Sequence, residues 1–156
     1  MITIVDGDLL KQDVEVIVNP WNRNMIPHFL LVQHGVSGAI KKKAGWKPFN
    51  ELGFRHLGVG KYRITSAGKL PYKAIIHVPG IDWNWEATEN TIKYGARAAI
   101  EATIYGKWKS VAIPIIGSGV GKYHINQAIE LIKFGIAIAM PKEDLDIRIV
   151  RFKPQI

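Results

Sequence analysis

The 156-residue chain contains no cysteine, which excludes disulfide staples and thiolate-held zinc. That composition fits a reducing compartment. No run approaches the roughly 20 consecutive apolar residues that a helix needs to span a bilayer, so no membrane partner is expected. The start, Met1-Ile2-Thr3-Ile4-Val5-Asp6, lacks the basic, apolar and small-residue zones of a secretory leader. The expectation is a cytoplasmic protein. Repeats, linkers and low-complexity stretches are absent, so residues 1–156 read as a single domain. Hydrophobic residues make up 47% of the chain, enough for a sizeable core and too many for a disordered chain. Twenty-one Lys and Arg stand against 13 Asp and Glu, a net charge of +8. This favours anionic partners such as nucleotides or nucleic acid. The basic residues are scattered, however, and Lys41-Lys42-Lys43 is the single dense run. It reads as a solvated helical turn.

The chain is organised around Ser110 to Gly121. Val111 to Ile116 is apolar and mostly β-branched, as a central strand covered on both faces should be. Gly117, Gly119 and Gly121 then alternate with Ser118 and Val120. Alternating glycines let backbone N–H groups converge without a Cβ in the way. An apolar helix follows from about Ile125 to Met140. Strand, glycine loop and helix together make a phosphate site at the carboxyl end of a sheet. The same glycines also suit a plain tight turn.

Other elements follow from local pattern. Strands are expected at Thr3–Val5, Val14–Val18, Tyr62–Thr65, Ala74–Val78 and Ile147–Phe152. Asn19-Pro20 is expected to stop the second strand. Arg23 to His34 is irregular yet apolar. A helix opens in Gly35-Val36-Ser37-Gly38 and reaches about Ala44, with Ser37 as cap or in the first turn. Gly45 to Gly58 connects, with room for a short helix. A helix from about Ala87 to Tyr105, capped by Asn84 or Thr88, places Ile92, Ala96, Ala99, Ile100 and Thr103 on one face. Alternating strands and helices in the second half indicate a three-layer α/β fold with a mixed sheet.

Four stretches, in order, carry a family resemblance. Gly7-Asp8-Leu9, Ile17-Val18-Asn19-Pro20-Trp21-Asn22, Gly35-Val36-Ser37-Gly38-Ala39-Ile40 with Ala44-Gly45, and Ile75-Ile76-His77-Val78-Pro79-Gly80 resemble those of the macro domain, an ADP-ribose-binding module. The glycine loop matches its second phosphate loop. The resemblance runs from about Gly7 to Ala139 and implies an α/β/α macro-like fold. It implies that Asp8, beside Leu9, accepts a hydrogen bond from the adenine amino group. Asn22 would approach the distal ribose, while Asn19 ties down backbone. Gly35 and Val36 would line the diphosphate and distal ribose at a helix N-terminus, with His34 and Ser37 as flanking ligand-binding candidates. After Gly117, Ser118, Gly119, Val120 and Gly121 would close over the diphosphate; Lys122 is a candidate phosphate contact or a solvent-exposed residue, and Tyr123 a candidate to replace an absent stacking aromatic. His77 reads as a core histidine near the site.

The departures from the family matter as well. The Arg23 to His34 segment is longer than the family's first phosphate loop and keeps only Gly35 of its glycine run. It can bring Trp21, Phe29 or His34 to the ligand. Hydrolytic members place an aspartate where this chain has Ser37, and a neutral serine is a very weak base. The catalytic candidates are Asn22 and Ser37. The resemblance implies binding of ADP-ribose or an ADP-ribosylated macromolecule, with weak hydrolysis of ADP-ribose derivatives possible. The alternatives are a true ADP-ribosyl or O-acyl-ADP-ribose hydrolase and an RNA-binding domain. No metal and no cofactor is expected.

Overall fold

The computed structural model describes residues 1–21, 35–53, 57–80, 86–117 and 123–153. Six strands form one sheet: β1 (Ile2–Gly7), β2 (Val16–Trp21), β3 (Arg63–Thr65), β4 (Ala74–Pro79), β5 (Ser110–Pro114) and β6 (Asp146–Phe152). Their order is β1-β6-β5-β2-β4-β3. The pairs β1–β6, β6–β5, β5–β2 and β2–β4 are parallel, and β3 is antiparallel to β4. Helices α1 (Gly35–Ala44), α2 (Lys47–Leu52), α3 (Glu89–Tyr105) and α4 (Ile125–Ala139) complete the elements, with a 3-10 turn at Leu9–Lys11. The expected α/β/α architecture with a mixed sheet is what forms.

Side-chain alternation along the strands divides the interior in two. Val16 and Val18 of β2, Ile76 and Val78 of β4, and Val111 and Ile113 of β5 meet Ile92, Ala96 and Ile100 of α3 and Ile129, Ile132 and Ile136 of α4. Ile17, Ile75 and Ala112, one residue out of phase, face Ile40 and Ala44 of α1 and Phe49 and Leu52 of α2. The face expected for α3 is buried, and Gly95, Ala98 and Ala102 extend it. Gly95 lies against Val78, Pro79 and Ile116, while Ala96 meets Gly135 of α4, so small residues bring α3 close to both the sheet and α4. A β-carbon at Gly135 of α4 would lie 2.0 Å from the Lys93 carbonyl oxygen.

Several element ends differ from the sequence expectation. β2 does not stop at Asn19-Pro20 but runs through both to Trp21. The Trp21 carbonyl accepts the Gly80 N–H at 3.0 Å, so Trp21 faces β4 and the nitrogen of Pro20 faces β5. Pairing with β5 ends at Ile17↔Ala112. Proline therefore lacks a donor on the side where none is required. β5 ends at Pro114, two residues early, and a turn begins at Ile116. β1 is longer than expected, because six residues register with β6 from the far end of the chain. Of the two cap candidates for α3, Thr88 is the N-cap: its Oγ1 accepts the Thr91 N–H and Thr91 Oγ1 accepts the Thr88 N–H. Asn84 lies outside the described residues.

Candidate functional site

The strands β2 and β5 are neighbours at their start and separate toward their carboxyl ends. After Ile17↔Ala112, β2 continues for four residues and β5 for two without pairing to each other. The loss of pairing between central parallel strands marks the place for a crevice. Chain connections also diverge here, since β2 leads outward to β3 and then β4 while β5 leads to β6 on the other side. Open α/β sheets bind ligands at such a point.

Asp8 follows β1 at this end of the sheet. It caps the 3-10 turn: Oδ1 accepts the Leu10 N–H at 2.9 Å, and no described residue donates to Oδ2. Leu9 is buried among Val14, Ile17 and Trp21, which anchors the turn. The carboxylate is thus held half-exposed with one oxygen committed and one available.

Helix α1 begins at the same end. Gly35 has φ +65°, a left-handed conformation that suits glycine, and a β-carbon there would meet nothing within 4 Å. Val36 packs on the α1/α2 core, and Ser37 is buried in the first turn. That turn carries no acidic residue, while Lys41, Lys42 and Lys43 occupy the last one. The helix dipole is therefore complemented at its C-terminus, and no acidic residue of the first turn opposes an anion at its N-terminus.

Behind these residues lies a buried polar chain. Asn19 Nδ2 is 3.0 Å from His77 Nδ1, and His77 Nε2 is 2.8 Å from Thr65 Oγ1. Thr65 Oγ1 also donates to the Ser66 carbonyl at 3.0 Å. One direction satisfies every bond: Asn19 donates to Nδ1, Nε2–H donates to Thr65, and Thr65 donates onward. Burial, reinforced by the nearby Arg63 charge, pushes the imidazole pKa down to about 3, so it is neutral. Among the described residues, Asn19 Oδ1 has no hydrogen-bond partner. Phe49 packs edge-on to His77 at 5.8 Å and against Trp21 at 5.5 Å. His77 is a core histidine, as its apolar strand suggested. Thr65 was absent from the sequence reading because only the β3–β4 register brings it to His77.

Across the crevice, Gly117 follows β5 with φ +89°, and a β-carbon would sit 2.5 Å from Ile92 Cδ1. Only glycine fits between this turn and α3. Tyr123 packs partly buried on the α3/α4 core and lines a groove with Glu89, Asn126 and Leu131. The structure therefore gathers Asp8, Leu9, Asn19, Gly35, Val36, Ser37 and Gly117 at one end of the sheet, with Tyr123 toward α3. Asn22, Phe29, His34, Ser118, Gly119, Val120, Gly121 and Lys122 lie outside the described residues. Among the described residues there is no group of three or more His, Asp or Glu able to hold a metal, and no helix is long and apolar enough to cross a membrane.

Comparison with known proteins matches the Macro domain family over residues 18–132. A macro domain-containing protein of Mesorhizobium japonicum is 35% identical over 132 residues, covering 81% of this chain and 71% of that protein. The human protein mono-ADP-ribosyltransferase PARP14 is 30% identical over 141 residues, covering 85% of this chain but 8% of its own length. Among solved structures, the Oceanobacillus iheyensis macrodomain with ADP is similar at a TM-score of 0.76 and 30% identity, covering 99% of this chain and 84% of that one. A mutant of that macrodomain with ADPR matches at the same TM-score and identity, covering 99% and 86%.

Proposed function

Because the chain belongs to the macro domain family, we propose that it binds ADP-ribose, free or as an ADP-ribosyl group on a macromolecule, in the crevice between β2 and β5. The observation that carries this reading is the parting of the two parallel strands after Ile17↔Ala112, flanked by an α1 N-terminus without acidic residues. A diphosphate is dianionic, and a helix N-terminus whose first turn carries no acidic residue complements it. Asp8 is held with one carboxylate oxygen available, which suits an amino group of adenine as donor. Asn22 and Ser118 to Gly121 complete the site in this reading, on the resemblance alone. The mutant O. iheyensis macrodomain with ADPR supports the ligand. The likeness to part of a mono-ADP-ribosyltransferase supports ADP-ribosylated protein as its bound form.

Hydrolysis is the secondary part of this reading. Ser37 is buried and neutral where hydrolytic members carry a carboxylate, so no side chain there is a strong base. Any turnover rests on positioning and on a substrate phosphate assisting the water.

Calorimetric titration of ADP-ribose tests the proposal, with AMP as control. Wild type is expected to bind in the micromolar range, about −8 kcal/mol. Asp8→Ala is expected to lose about tenfold or more, because a hydrogen bond to a charged acceptor is worth roughly 1.5–3 kcal/mol. Absence of wild-type binding would remove ADP-ribose as ligand. Equal affinity of Asp8→Ala would remove Asp8 from the adenine contact. Rapid release of ADP-ribose from an ADP-ribosylated peptide would instead make the chain an efficient hydrolase.

A further inference from the structure

We propose that the outer face of α1, with Trp46 and Lys69 beside it, binds single-stranded nucleic acid. The basic residues are spread along the chain, but the acidic ones are not. Between Val16 and Ile81 there are ten lysines and arginines and one acidic residue, Glu51; the remainder holds eleven basic and twelve acidic residues. The entire net charge of +8 therefore arises from the segment that builds α1, α2 and the strands β2, β3 and β4.

Within that segment the charge converges on one place. A shallow cleft of about 350 Å³ is lined by Gly38, Lys41, Lys42, Gly45 and Trp46. Lys69 borders it: its N–H donates to the Ala44 carbonyl at 2.9 Å, and its Cε would lie 3.8 Å from a β-carbon at Gly45. Lys42, Lys43, Lys47 and Lys69 are exposed, and none has a carboxylate within ion-pair distance among the described residues. Glu51 accepts from the N–H and hydroxyl of Ser66 and also feels the charge of Lys47, so it offsets that lysine alone within the cluster. Lys41 lies over the Trp46 ring at 5.3 Å, which holds the indole at the cleft while 57% of Trp46 is exposed.

An exposed indole among lysines is the combination that takes a base on its π-face and the neighbouring phosphates on the ammonium groups. A duplex hides the faces of its bases and forgoes the first contact. Gly38 and Gly45 place no side chain in the cleft, so a sugar–phosphate backbone can lie against the helix. The cleft starts one residue beyond Ser37 and runs to the far end of α1, away from the crevice, so it is independent of the ADP-ribose reading.

Fluorescence anisotropy with labelled oligouridine and oligothymidine tests this, the two arms deciding between RNA and DNA. Wild type is expected to bind at low salt, with log K falling linearly against log salt at a slope of about −2 to −3 for three or four phosphates. Lys42→Glu/Lys69→Glu is expected to weaken binding at least about tenfold and flatten the slope, and Lys42→Gln/Lys69→Gln to do so less. Trp46→Ala is expected to weaken binding about tenfold at unchanged slope. Lys133→Glu/Lys142→Glu, the same charge change on the opposite face, should leave binding intact. Circular dichroism melting and ADP-ribose titration of each variant report retained folding. No wild-type binding at low salt, equal loss in the two Lys→Glu pairs, no effect of Trp46→Ala, or equal affinity for a duplex would each overturn the proposal.

Discussion

The two faces of the sheet are built to different rules. On the α3/α4 face, buried polar groups are settled within one helix: Thr91 closes the cap of α3 and Thr103 donates to the Ala99 carbonyl. On the α1/α2 face, Asn19, His77 and Thr65 bond across three strands, and Asn19 Oδ1 is left without a partner among the described residues. The first face is apolar, with helices in backbone contact. The second carries buried polarity, the helix N-terminus without acidic residues and the excess charge. Close packing without polar groups gives stability per unit area. A buried polar chain costs desolvation and is retained where it fixes geometry. The contrast teaches that one side of the sheet is given to apolar packing, while the side that carries the proposed recognition also holds the buried polar groups.

The largest expected effect breaks the packing side. In Gly135→Ala the new methyl would meet the Lys93 carbonyl oxygen at 2.0 Å and Ala96 Cβ at 3.0 Å. Alanine's helix propensity favours the change by about 1 kcal/mol. A clash with rigid backbone outweighs that, so a net loss of about 3 kcal/mol is expected in denaturant unfolding. Affinity for ADP-ribose measured below the transition should be unchanged. A fall in affinity would show that the two faces are not independent.

The next effect probes the polar side through pH. The imidazole of His77 titrates near 3 when folded, against an ordinary value of 6.5, because burial disfavours its charged form. Between those values the unfolded chain binds more protons, so stability is full above pH 6.5 and falls as pH drops toward 3. The slope approaches about 1.4 kcal/mol per pH unit. His77→Phe removes this proton while leaving Asn19 Nδ2 and Thr65 without their partner, so it should be less stable at pH 7 and less sensitive to acid below 6.5. Asp6, held down to about 2 by hydrogen bonds from Arg151 and Lys153, remains in both proteins and cancels in the comparison. Parallel stability profiles for the two proteins would refute a buried neutral His77.

These features differ in how far the sequence discloses them. Runs such as Ala74 to Val78 and Val111 to Ile113 declare strands because β-branched residues fill both faces. The core stripe of α3 is legible from its spacing, and His77 is legible as a core residue from its neighbours. What escapes local reading depends on partners far along the chain. β2 crosses Pro20 because β5 has already parted from it. Thr65 reaches His77 through antiparallel register. Charge segregation does not show in the spread of the lysines; it shows in the scarcity of acids between Val16 and Ile81, where Glu51 stands alone. Of the candidate site, Asp8, Gly35 and Ser37 fall together at one end of the sheet, whereas Asn22 and Ser118 to Lys122 lie outside the described residues.

The smallest effect tests where the division between the faces runs at the crevice itself. Thr88 caps α3 reciprocally with Thr91, and α3 begins beside Gly117, whose turn packs on Ala87 and Ile92. Thr88→Ala removes one side-chain acceptor from the first turn and should cost about 1 kcal/mol. If ligand binding depends on Asp8 and the start of α1, a thermal shift should register this cost while the ADP-ribose dissociation constant stays within twofold or so of wild type, a difference of about 0.4 kcal/mol. If affinity falls tenfold instead, the ligand draws on the start of α3, and the recognition side extends past β5 to the packing helices.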